Sequence, residues 1–181
     1  MSLVIVERAF SEPETFAAIN ARGDRGTWCY ELYGIRFDGA YFAADGRRMI
    51  CTYEAPDAES VRMAQRSVDL PVSRVWSATF HRATEPPATE ATDLAGTDVI
   101  VERSFETPVD VGALQAREDA GQWCLDLHRV RFRHTCLALD RKRMFCLYNA
   151  PDAESVRIAQ RRIDMPVDRV WSARRHEPVP C

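Results

Sequence analysis

Residues 51–62 read CTYEAPDAESVR, and residues 146–157 read CLYNAPDAESVR. The run APDAESVR is shared without a change. Working outward, VIVER at 4–8 recurs at 99–103, and RVWSA at 74–78 recurs at 169–173. Val4–His81 falls on Val99–His176 without a gap, and roughly 55% of the paired positions are identical, far beyond what a shared polar–apolar pattern gives. The chain is a tandem duplication.

Each copy reads strand, helix, strand, strand, helix, strand. Leu3–Phe10 is β-rich, and Pro13 opens a helical stretch to about Tyr33. Ile35–Ala44 and Arg47–Tyr53 are strands joined by Asp45-Gly46, a hairpin turn pair. The second copy has Asp140-Arg141 there, which tolerates positive φ less well. Asp57 is placed to N-cap the next helix, which ends near Pro71, and Val72–Phe80 is the last strand. This order is that of a ferredoxin-like split βαβ unit. The fold class is therefore α+β, with two tandem ferredoxin-like repeats. The first strand is apolar on both parities, so both sheet faces should be buried. The second copy is the natural cover, giving a pseudo-dimeric α+β barrel packed sheet to sheet. The domains are 1–82, a linker at 83–97 and 98–178. The segment RATEPPATEATDLAGT at 82–97 has the solvated composition of a linker.

The chain of 181 residues is 46% hydrophobic and 28% charged, an ordinary globular composition. A formal net charge of −3 offers no basic field to nucleic acid. No apolar run approaches the ~20 residues needed to span a bilayer, and the N-terminus lacks the basic region of a signal peptide. Cys29, Cys51, Cys124, Cys136, Cys146 and Cys181 then read as reduced thiols in a cytoplasmic protein. Lys142 is the only lysine among 24 basic residues. Codon bias explains arginine over lysine. It does not explain why Arg8, Arg22, Arg36, Arg48, Arg62, Arg66 and Arg74 all recur in the second copy, so those positions should be searched for carboxylate partners.

RRMICTYEAPDAESVR with DLPVSRVW, and RKRMFCLYNAPDAESVR with DMPVDRVW, resemble the domain-of-unknown-function 4242 family over nearly all of each copy. The resemblance implies a ferredoxin-like fold whose single-copy members pair. One branch is nickel-binding in actinobacteria, which implies a small bacterial protein with a divalent transition metal such as nickel as cofactor. It assigns no ligand residue by residue.

Several groups in the sequence could carry chemistry. Glu7 and Glu102 are carboxylates in apolar strands, where an unpaired charge is costly. They are either strand-end ion pairs or groups facing a cavity. Cys51 with Tyr53, and Cys146 with Tyr148, share a strand face with Met49 and Met144. They are either core or a soft metal or carbonyl site. His81 and His176 end each last strand and are retained across the duplication. Trp28, Trp123, Trp76 and Trp171 read as core, the latter two under a helix. Where the copies diverge, Asp38 becomes Arg133, Gly39 becomes His134, Tyr41 becomes Cys136, Tyr33 becomes His128 and Gly34 becomes Arg129.

Three functional readings stand open. The first is a ligand-binding protein, its ligand a metal held by Glu7, Cys51, His81, Cys146 and His176, or a small molecule met by Arg8, Tyr53 and Arg103. The second is an enzyme with an asymmetric inter-sheet pocket, working by acid–base chemistry through Glu102, His134 and Tyr148. The third is a structural module without a site. Partners are a small molecule or metal ion, with no nucleic acid and no membrane. Further oligomerisation of the pseudo-dimer is left open.

Overall fold

A computed structural model describes residues 1–24, 27–83 and 96–178. The expected linker falls largely on 84–95, outside the described residues, as does Cys181. Among the described residues there are eight strands and six helices. The first repeat contains β1 (Ser2–Ala9), α1 (Phe16–Gly23), α2 (Thr27–Leu32), β2 (Arg36–Ala43), β3 (Arg48–Ala55), α3 (Ala58–Gln65) and β4 (Arg74–Arg82). The second contains β5 (Thr97–Ser104), α4 (Val111–Ala120), α5 (Gln122–Leu127), β6 (Arg131–Ala138), β7 (Arg143–Ala150), α6 (Ala153–Arg162) and β8 (Arg169–His176). Among the described residues no helix is long and apolar enough to cross a membrane.

By contacts the chain divides into two units. One is Met1–Ala78 with the chain from Arg174 onward, and the other is Thr79–Ala173. The last residues of β8, His176 among them, thus belong to the first unit. The last residues of β4, with His81, belong to the second. In the first unit the strands run β4-β1-β3-β2, every neighbour antiparallel. In the second they run β8-β5-β7-β6 in the same manner. This is the split βαβ order read from the sequence.

Strand parity decides what meets the helices. Val4, Val6, Met49, Cys51 and Tyr53 project to the helix side of the first sheet, where they form one buried cluster with Ile19, Cys29, Val61 and Ala64. The second unit repeats this with Val99, Val101, Met144, Cys146 and Tyr148 against Cys124, Leu125, Val156 and Ala159. Asp57 caps α3, its Oδ1 accepting from the Ser60 N–H at 2.7 Å.

Four expectations are corrected. The single helix from Pro13 to Tyr33 is two helices, and its counterpart is broken at Gly121. There a Cβ would lie 2.5 Å from Ile163 Cγ2, so the chain turns where only glycine fits. The next helix stops at Gln65, short of Pro71, because 3₁₀-type bonds from Ser67 N to Ala64 O and from Val68 N to Gln65 O tighten the exit. Trp28 and Trp123, expected in the core, are 63% and 62% exposed. Cys29 and Cys124 take the inward positions, and the preceding residue lies about 100° around a short helix. Trp76 and Trp171 are not under a helix. They share a parity with Ile5 and Ile100, on the face turned away from the helices.

Candidate functional site

Arg8 stands opposite Met49 in register, on the helix side of the first sheet. A guanidinium in that apolar layer is costly unless its donors are met, and Arg8 is 3% exposed. Its Nη1 donates to Pro71 O at 3.0 Å and its Nη2 to Gln65 Oε1. Gln65 Nε2 in turn donates to the hydroxyls of Tyr30 at 3.0 Å and Tyr53 at 3.3 Å. The two hydroxyls lie 3.5 Å apart. Burial, with Cys51 and Tyr30 nearby, pushes the Tyr53 phenol well above its usual range despite the opposing Arg8 charge, so it is a neutral donor. Above this polar floor lies a cavity of about 120 Å³. Phe16, Ile19, Phe37 and Leu70 wall it, and Asn20, Gly23 and Asp24 form its rim.

The second unit repeats the floor. Arg103, 1% exposed, donates to Pro166 O, to Gln160 Oε1 at 2.9 Å and to the Tyr148 hydroxyl at 3.2 Å. Here a carboxylate completes the set: the Tyr148 hydroxyl donates to Glu118 Oε1 at 2.5 Å. Burial raises the Glu118 pKa, while the Tyr148 hydrogen bond and Arg103 hold it down. The cavity that remains, lined also by His81, Thr135 and Cys146, is about 50 Å³.

Four of the other recurring arginines have carboxylate partners. Arg22 meets Glu14 at 2.7 Å, Arg36 meets Glu54 at 2.5 Å, Arg62 meets Glu59 at 3.0 Å and Arg74 meets Glu7 at 3.6 Å. Arg8, the most buried of these five, has no carboxylate within 4 Å among the described residues, and neither has its counterpart Arg103, which reaches Glu118 only through Tyr148.

The other candidate residues have separate surroundings. Glu7 accepts from Trp76 Nε1 at 2.8 Å, and Glu102 accepts from Trp171 Nε1 at 2.7 Å and from Arg169 at 3.1 Å. His81 Nε2 lies 2.8 Å from Thr79 Oγ1. His176 stacks on Phe16 with ring centroids 3.5 Å apart, and burial together with Arg174 lowers its pKa. His134 lies 4.6 Å from the Phe80 ring and 6.4 Å from that of Phe145. The first unit thus gathers Arg8, Cys51 and Tyr53, and the second gathers His81, Arg103, Cys146 and Tyr148. Glu7, Glu102, His134 and His176 line neither cavity. Among the described residues no group of three or more His, Cys, Asp and Glu side chains is placed to hold a metal ion. That donor set does not fit nickel.

Sequence reasoning missed Gln65, Gln160, Tyr30, Gly23 and Glu118. The signal was present: both glutamines persist between copies, and Gly23 pairs with Glu118 as Tyr30 pairs with Leu125.

The family described as "Nickel responsive protein SCO4226-like" matches residues 5–77 and again 100–172. The chain belongs to the SCO4226-like family. That description replaces the domain-of-unknown-function 4242 label, and it fits the reading of a nickel-related, ferredoxin-like repeat. SCO4226 from Streptomyces coelicolor A3(2) is 18% identical, covering 46% of this chain and 99% of its own, with a TM-score of 0.37. Chlorite dismutase from Candidatus Nitrospira defluvii in complex with imidazole is 9% identical, covering 97% of this chain and 91% of its own, with a TM-score of 0.52. An arginine-to-lysine variant of that enzyme is 10% identical over 98% and 92%, with a TM-score of 0.55. At such identities the likeness of this SCO4226-like chain to those enzymes is one of fold alone. No curated protein sequence matches.

Proposed function

We propose that the chain is a ligand-binding protein whose ligand is a small organic molecule held in the first-repeat pocket. The supporting observation is a cavity of about 120 Å³ over a buried arginine, in a repeat whose twin keeps only about 50 Å³ of the equivalent space. A cavity near 150 Å³ holds a benzene-sized guest, so the ligand is small. The proposal keeps the domain limits 1–82, 83–97 and 98–178. It also keeps the packing of the two sheets face to face in a pseudo-dimeric barrel, supported by the apolar VIV strand on both parities. A cytoplasmic location and a small-molecule partner, without nucleic acid or membrane, belong to the same reading.

Family membership favours a second reading, nickel binding, for which Glu7, Cys51, His81, Cys146 and His176 are the residues to test although the described residues do not gather them into one donor set. The acid–base reading through Glu102, His134 and Tyr148 draws less support, because each has its own structural partners. Native mass spectrometry and elemental analysis of untagged protein separate the two leading readings. A bound organic mass released on denaturation, with nickel at background, is the expected result. Stoichiometric nickel that is lost in His81→Ala/His176→Ala would establish the metal reading instead.

A further inference from the structure

The two pockets are equivalent position by position. Arg8, Cys51, Tyr53 and Gln65 correspond to Arg103, Cys146, Tyr148 and Gln160. One difference matters most: the second pocket carries the Glu118 carboxylate where the first has Gly23. Glu118 is 9% exposed and is bonded by the hydroxyl that Arg103 itself bonds. Neither Arg103 nor Arg8 has a carboxylate within 4 Å among the described residues, but Arg103 is linked to Glu118 through the Tyr148 hydroxyl, whereas the Tyr53 hydroxyl of the first pocket meets only Tyr30 and Gln65. The cavity there is more than twice as large.

We infer that the first pocket binds a short organic carboxylate, whose carboxyl group takes the place that Glu118 holds in the second. This deepens the ligand-binding proposal and rests on it. A ligand oxygen there accepts from the Tyr53 hydroxyl, as Glu118 accepts from Tyr148, with Arg8 behind. Tyr53 has that proton to give, because its contact with Tyr30 is long at 3.5 Å. A negative charge also offsets the cost of burying Arg8 without a counter-ion. The apolar tail packs against Phe16, Ile19, Phe37 and Leu70. The volume limits that tail to about the size of a benzene ring or a short alkyl chain. Asp24 stands on the exposed rim, where its carboxylate accepts from Asn20 at 3.2 Å. The rim charge therefore favours a ligand with a single carboxylate.

The duplication supplies its own controls. A Cβ at Gly23 would meet only Leu70 Cδ1, at 3.9 Å, so a side chain fits there. Gly23→Glu should carry the carboxylate in place and exclude the ligand, whereas Glu118→Gly should open a second site beside Arg103. Butyrate, hexanoate and benzoate, each beside its neutral amide, are titrated into the full chain by calorimetry, with circular dichroism confirming that the variants fold. At least one carboxylate should bind at one site per chain, roughly tenfold or more tighter than its amide. Gly23→Glu should abolish that binding, and Glu118→Gly should raise it to two sites. Equal binding of carboxylate and amide overturns the carboxylate assignment and leaves the pocket reading standing. Binding that survives Gly23→Glu places the site elsewhere and overturns the inference. If neither acids nor amides bind, both readings fall.

Discussion

Glu118 shows how a single side chain sets both the space and the charge balance of its pocket. Its folded-state pKa is raised, chiefly by burial. A carboxyl raised in this way contributes stability below its unfolded value, about 4.3, and that contribution is lost as pH rises through the folded value. Glu118→Gln keeps an acceptor for Tyr148 and removes the titration. Urea unfolding from pH 4 to 8 should show wild type losing stability relative to this variant as pH rises. A constant difference across the range would show that Glu118 does not titrate in that window. The tryptophans give a second residue-scale prediction. Trp171 is 8% exposed and tied to Glu102, so Trp171→Ala should cost about 3 kcal/mol or more. Trp28→Ala, on an exposed helix face, should stay within about 0.5 kcal/mol by the same urea measurement. In the sequence both read as core. Composition marks a tryptophan as apolar, but only the phase of a six-residue helix decides which neighbour turns inward.

Individual elements record the duplication in their turns. After α2 the chain closes with Ile35 N to Tyr30 O and Gly34 N to Glu31 O, a Schellman ending with Gly34 at φ 63°. After α5 the same two bonds form around Arg129 at φ 55°. The hairpin after β2 turns through Gly46 at φ 69°, and its twin after β6 through Arg141 at φ 57°. Left-handed backbone costs a residue with a Cβ about 1 kcal/mol. Arg129→Gly and Arg141→Gly should therefore each raise the urea midpoint, by up to about that amount. Gly46→Arg should do more harm than those strains suggest, because its Cβ would lie 2.6 Å from the Glu14 carbonyl oxygen. Unchanged midpoints in both arginine variants would refute the strain argument. The turn at Asp140-Arg141 was legible in the sequence, as were the Asp57 cap and the strand order, and Arg141 takes the positive φ there. The break in the first helical stretch was less so, because it depends on how closely Ile163 approaches Gly121 from a distant element.

At the scale of the whole chain, the repeat and its antiparallel strand order could be read because both are periodic and local. The pocket could not. Which residue of the first helix lands over Arg8 is a matter of tertiary register, so Gly23 against Glu118 looked like one substitution among many. The place of His176 was hidden for a similar reason. It closes the second repeat in sequence but belongs to the first unit by contact, stacked on Phe16, which walls the first pocket. Its pKa is lowered by burial and by Arg174. A histidine depressed in this way stabilises the fold above its unfolded value, about 6.5, and loses that contribution as pH falls through the folded value. His176→Phe keeps an aromatic stack without the titration, and His176→Ala removes both. Wild type should lose stability relative to His176→Phe between pH 7 and 5, the opposite sense to Glu118. His176→Ala should cost roughly 0.5–1 kcal/mol at pH 7.5. Because Phe16 is a pocket wall, His176→Ala should also weaken benzoate binding, whereas His81→Ala, whose ring contacts Thr79 in the other unit, should leave it unchanged. Equal effects of the two histidines on benzoate would mean that the stack on Phe16 does not support the pocket.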